Sequence, residues 1–151
     1  MIRLSSQPSL DHPIQHLLFF LDSDFDDANV AQLHTVVVAE GIRRNWTLGP
    51  PTFIDDSDPE GLRTVGGTLR LYSALPPWDK RLPLAVDRAH LKEVRHLIKT
   101  LARFSVESGV DIGFEVDGEA VGWIAGGEAD ESLADGFIGE WESHLESRHD
   151  S

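Results

Sequence analysis

Cysteine is absent from the chain, which excludes a disulfide framework, thiolate chemistry and any zinc site built on sulfur. Positive charge is scarce: thirteen Lys and Arg stand against twenty-six Asp and Glu, for a net charge of -13. Nucleic acids and anionic membrane surfaces are bound by Lys and Arg that replace counterions, so neither suits this chain as a direct partner. Long apolar runs are missing too. The longest, Leu17 to Leu21 and Val36 to Ala39, fall far below the ~20 residues that a membrane-spanning helix needs. Met1 to His12 carries Arg3, Ser5, Ser6 and Pro8 and lacks the apolar stretch of a secretory signal. Together these absences predict a soluble, cytoplasmic protein.

What is there suits one folded domain over residues 1–151, with 1–12 and 147–151 expected as flexible ends. Hydrophobic residues make up 40% of the chain, with four Trp and seven Phe, too many for a disordered sequence. The acid is spread unevenly. Residues 105 to 151 hold thirteen Asp and Glu against the single Arg148, whereas the first 104 residues hold thirteen acids and twelve Lys or Arg. Solubility alone does not require such concentration. A one-signed field in the last third favours docking onto a basic protein.

The short apolar run Ile14 to Leu21 reads as a central strand that stops at the acids Asp22, Asp24, Asp26 and Asp27. From Ala28, the positions Val30, Leu33 and Val37 recur at helical spacing as far as Gly41, with Asp26 or Asp27 as N-cap, although Val36 to Val38 favour strand. Thr52 to Ile54 and Thr68 to Ala74 read as strands joined by a loop over Asp55 to Gly67. Asp87 is expected to cap a second helix, about Arg88 to Val106, with Leu91, Val94, Ile98, Leu101 and Ala102 on its apolar stripe.

Asp117-Gly118 is the favoured pair for a two-residue type I′ turn and predicts a hairpin. Counting outward sets Val116 against Glu119, Phe114 against Val121, Ile112 against Trp123 and, on the other face, Gly113 against Gly122. Gly126-Gly127 is expected to end the hairpin, and Asp130 to cap a last helix bearing Leu133, Phe137, Ile138, Trp141 and Leu145. The fold class is therefore α+β: a two-layer sandwich with helices on one face of a mostly antiparallel sheet, in the order βαββαββα. Its first six elements match the ferredoxin-like split motif.

Candidate chemistry is sparse. Leu21-Asp22-Ser23-Asp24 at the end of an apolar strand resembles the Asp-x-Asp loop of haloacid dehalogenase-type phosphotransferases. That resemblance implies a metal-dependent hydrolase or phosphotransferase in which Asp22 attacks phosphorus and Asp24 handles the proton beside Mg²⁺. It covers five residues, and Asp26 stands where that family carries Thr or Val. Capping within a solvated loop is the competing account of the same acids. Asp27 and Leu33 occupy the places where a calcium loop needs Gly and Glu, which excludes an EF-hand. Glu93-x-x-His96 has di-iron spacing but no second pair, and reads as a solvated pair on a basic helix. No nucleophile elbow, Walker loop or dinucleotide fingerprint is present. No catalytic residue, metal ligand or cofactor is assigned.

The remaining expectation is a protein partner. Seven of the thirteen cations, Lys80, Arg81, Arg88, Lys92, Arg95, Lys99 and Arg103, lie within one short stretch. They are expected to be solvated and to compensate the acidic third, or to mark a homodimer contact. Trp78, after two prolines, is either an exposed interface anchor or a plug at the edge of the core. The acids expected to face a basic partner are Glu128, Asp130, Glu131, Asp135 and Glu142, with Asp55, Asp56 and Asp58 as a second patch. In size, acidity and lack of cysteine the chain resembles the small immunity proteins that bacteria co-produce with toxins. That resemblance implies an inhibitor of a basic toxin such as a nuclease.

Overall fold

The apolar run Ile14–Leu21 forms strand β1 over the expected span. Alternate residues Leu17, Phe19 and Leu21 are buried, so only one pleat face enters the core. The computed structural model describes residues 14–72 and 83–147. Along these run β1, helix α1 (Asp27–Arg43), β2 (Thr52–Ser57), β3 (Arg63–Tyr72), α2 (Leu84–Ser108), β4 (Ile112–Val116), β5 (Glu119–Ala125) and β6 (Glu128–Ala129). A π-helical stretch, Ser132–Gly139, then continues into α3 (Glu140–Glu146). The fold is α+β, with one six-stranded antiparallel sheet in the order β2-β3-β1-β4-β5-β6.

The first four strands interleave as two split β-α-β units. β1 and β2 run parallel with β3 between them, and β3 and β4 run parallel with β1 between them, which is the ferredoxin-like pattern. The helices cover one face. Leu33 and Val37 of α1, Leu91, Val94, Leu97 and Leu101 of α2, and Leu133, Ile138, Trp141 and Leu145 of the last helical segment meet Leu17, Phe19, Leu69, Ile112, Phe114 and Ile124 of the sheet. On the opposite face no element packs among the described residues. There Ile54, Gly66, Phe20, Gly113 and Trp123 form one row across five strands, alternating large and absent side chains. Trp123 stays 50% exposed.

Several boundaries differ from the sequence expectation for identifiable reasons. Asp26 caps α1 as expected and forms a reciprocal capping box with Asn29, but the helix continues past Gly41 to Arg43. α2 starts at Leu84 rather than beyond Asp87: the amides of Val86 and Asp87 both bond the Pro83 carbonyl. Asp87 is thereby left inside the helix, where it is buried and accepts the indole N–H of Trp141 at 2.8 Å. The loop expected over Asp55 to Gly67 shrinks to the few residues between Ser57 and Arg63. Gly66 and Gly67 sit inside β3 because the β1 backbone and the Phe19 ring occupy the space their side chains would fill. The end of the expected strand, Ser73 and Ala74, lies outside the described residues, as do 1–13 and 148–151.

The β4–β5 hairpin turns at Asp117 (φ 50°) and Gly118 (φ 87°), both in the left-handed region a type I′ turn requires. Val116 faces Glu119 as expected, and Glu115 faces Ala120. A bulge then shifts the register, so that Phe114 faces Gly122, Gly113 faces Trp123 and Ile112 faces Ile124. The shift sends Ile124 into the core and Trp123 to the open face. Gly126-Gly127 does not end the sheet: it turns the chain into β6, whose two residues pair with Ile124 and Ala125.

Candidate functional site: an acidic sheet end and two clefts beside the last helix

β1 and β2 end, and β3 and β4 begin, at the same end of the sheet. The connecting segments there bring together acids that are far apart in the chain. Asp22, Asp24 and Asp26 precede α1 and Asp27 opens it, Asp55, Asp56, Asp58 and Glu60 occupy the β2–β3 hairpin, and Asp111 precedes β4. Arg63 ties two of the groups together. Its Nε and Nη2 each donate to Asp55 at 2.8 Å, Nη1 lies 3.9 Å from Asp27, and the guanidinium sits 5.7 Å from the centre of the Phe25 ring. The Asp22 amide donates to the Asp111 carbonyl, and Ser23 Oγ accepts from the Asp111 amide. The Arg63 hydrogen bond, with its charge, holds the Asp55 carboxyl below the usual carboxylate range.

The eight acids expected from sequence divide by what each side chain does. Asp58 closes its hairpin by accepting the amides of Glu60 and Leu62, both at 2.9 Å. Asp130 accepts the amides of Trp123 at 3.0 Å and Leu133 at 3.1 Å, pinning the start of the last helical segment to β5. Asp55 is paired with Arg63, and Glu142 is paired with Arg95 of α2. Asp56, Glu128, Glu131 and Asp135 are exposed. The chain folds Asp55, Asp56 and Asp58 beside Asp22 to Asp27, whereas Glu142 lies on α3, against α2. Trp78, with Lys80 and Arg81, lies outside the described residues.

Sequence reasoning missed a line of ionisable groups on α2. Asp87, His90, Glu93 and His96 recur every three residues, and Asp87, His90 and Glu93 are buried. Glu93-x-x-His96 is therefore no solvated pair. Glu93 Oε2 accepts from the Thr47 amide at 3.0 Å and hydroxyl at 2.6 Å. His90 Nε2 accepts the Tyr72 amide at 3.2 Å, which leaves the ring proton on Nδ1, 3.6 Å from Glu93 Oε1. Burial pushes the Glu93 carboxyl up, but the His90 imidazole and the two Thr47 bonds outweigh it and leave it below its ordinary value of 4.5. His96 Nε2 lies 2.6 Å from the carboxylate of Glu40, itself only 2% exposed and 3.5 Å from Arg43. These groups fasten α2 to α1, β3 and α3. Asp22 and Asp24 are exposed, and among the described residues no three His, Asp or Glu side chains stand close enough to share a metal.

Two clefts flank the π-helical stretch. The first, about 540 Å³, has Leu71, Val116, Val121, Phe137 and Trp141 as its apolar floor and Glu140 and His144 at its edge. A smaller recess that shares Val116, Val121 and Phe137 adds Asp117 and Glu119. The second cleft, about 510 Å³, lies between α2, the residue after α1 and the opposite side of the π-helical stretch. π-Helical turns are rare and concentrate at functional sites. No protein-family model, curated protein or solved structure matches this chain.

Proposed function

We propose that this chain is an acidic protein-binding domain that docks onto and neutralises a basic protein partner, as an immunity protein does for a toxin such as a nuclease. The reading rests on the acidic end of the sheet. Acids from the β1–α1 connection, the β2–β3 hairpin and the start of β4 project from one end of a rigid scaffold, and Asp22, Asp24 and Asp56 there are exposed. Such a field accelerates encounter with a basic surface and fills a groove built for phosphate, while buried aromatic contacts supply most of the affinity. A cytoplasmic site of action suits the absence of cysteine, and among the described residues no helix is long and apolar enough to cross a membrane.

The test is affinity purification of the tagged chain from its host at low salt, followed by elution in a salt gradient and assay of the captured protein. A stoichiometric basic partner whose activity falls on binding is expected, with at least tenfold weaker binding for the Asp24→Lys, Asp56→Lys double variant. Capture that ignores this charge reversal would remove the acidic end from the interface. Asp130 is unsuited to such a test, because its carboxylate holds the fold rather than facing solvent.

A further inference from the structure

The cleft on the outer side of α2 is lined by cations in a chain of net charge -13. Lys92, Arg95 and Lys99 follow one another at helical spacing along one wall, and Arg44, just past α1, forms the other. No carboxylate lines it. Arg95 is paired with Glu142, but among the described residues Arg44, Lys92 and Lys99 have no carboxylate within ion-pair distance. Arg44 is set by the Trp46 ring, 5.9 Å beneath its guanidinium, and its buried Nε meets no acceptor among the described residues. The floor is apolar: Ile98, Ala129, Leu133, Ala134 and Ile138 supply half of the lining residues.

We infer that this cleft binds a small amphipathic anion, a single carboxylate or phosphate head on an apolar body, with the head between Arg44, Lys92 and Lys99 and the body on Ile98, Ala129 and Ala134, which are not fully buried. Its volume of about 510 Å³ lies within the ordinary range for small-molecule sites. Charge range selects against longer anions. At physiological salt, charges are screened over about 8 Å, so a single head responds to the cleft's own cations, whereas a polyanion extending past it meets the acidic remainder of the molecule. The apolar floor selects against a bare inorganic ion, which gains nothing from it.

The experiment is calorimetric titration of the full chain with decanoate, monodecyl phosphate, decanol and inorganic phosphate. Saturable one-to-one binding of decanoate or decyl phosphate is expected, and the tighter of the two identifies the head group. Decanol and inorganic phosphate should each bind at least tenfold more weakly. A Lys92→Glu, Lys99→Glu double variant, altered only at exposed positions, should keep the wild-type circular dichroism and melting curve and weaken the anion at least tenfold. No saturable binding would overturn the inference. Equal affinity for decanol would remove the charge requirement, equal affinity for inorganic phosphate would remove the apolar floor, and indifference to the double reversal would move the ligand to the Phe137–Trp141 cleft. None of these outcomes depends on whether a basic protein partner exists.

Discussion

Glu93 carries a consequence for pH. Its carboxyl holds a proton less tightly in the folded chain than in the unfolded one, because His90 and Thr47 favour the charged form. The stability it contributes is therefore fully present above its ordinary value of 4.5 and is lost as pH falls through the lower folded value. Glu93→Gln should cost about 2 kcal/mol at pH 7. Urea midpoints measured between pH 7 and pH 3 should show that gap closing in the acid range, and a gap that stays constant would contradict this account. Asp130→Ala removes the acceptor for two amides and should cost about 1–2 kcal/mol by denaturant unfolding. Asp130 was legible as a cap from its place before an apolar helix, but its second bond, to β5, was not. The partners of Glu93 and His96 were equally hidden: Thr47 and Glu40 are 46 and 56 residues away, and no spacing within α2 points to them.

At the scale of elements, the β5–helix contact turns on one glycine. Gly122 has φ 147°, and a Cβ there would lie 2.6 Å from the Leu133 amide nitrogen and 2.7 Å from the Asp130 carboxylate. Gly122→Ala should cost about 3 kcal/mol through overpacking and backbone strain, whereas Gly118→Asn, at a turn position with open space, should cost well under 1 kcal/mol. Thermal melts of the two variants side by side provide the check. A close approach at paired glycines was foreseeable, but the side it occurs on was not. The bulge breaks the pair, placing Gly122 beneath Leu133 while Gly113 makes room for the Phe20 ring on the open face. The last helix shows a related limit. Leu133, Phe137, Ile138, Trp141 and Leu145 read as one α-helical stripe, yet the wider π turn buries Leu133 and Ile138 and leaves Phe137 half-buried in a cleft.

For the whole molecule, the α+β class and most of the element order were legible from hydrophobic period and turn chemistry, because those signals are local. β6 was not, since two residues carry no period, and neither was the acidic end. Summing charge along the chain located the excess in the last third, while the sheet collects a second acidic surface from connections that are separate in sequence. Hydrogen exchange should follow the sheet order. Amides of β1, paired on both sides and backed by the core, should exchange slowest, and those of β6 at the edge fastest; the reverse ranking would contradict the topology. The central place of β1 also bears on how the protein is made. Its partners are β3 and β4, and β4 ends at Val116, about 100 residues after β1 leaves the ribosome. At roughly 5–20 residues per second, one of the most apolar segments of the chain waits on the order of 5–20 s with an unpaired edge, open during synthesis to contacts that the finished sheet excludes.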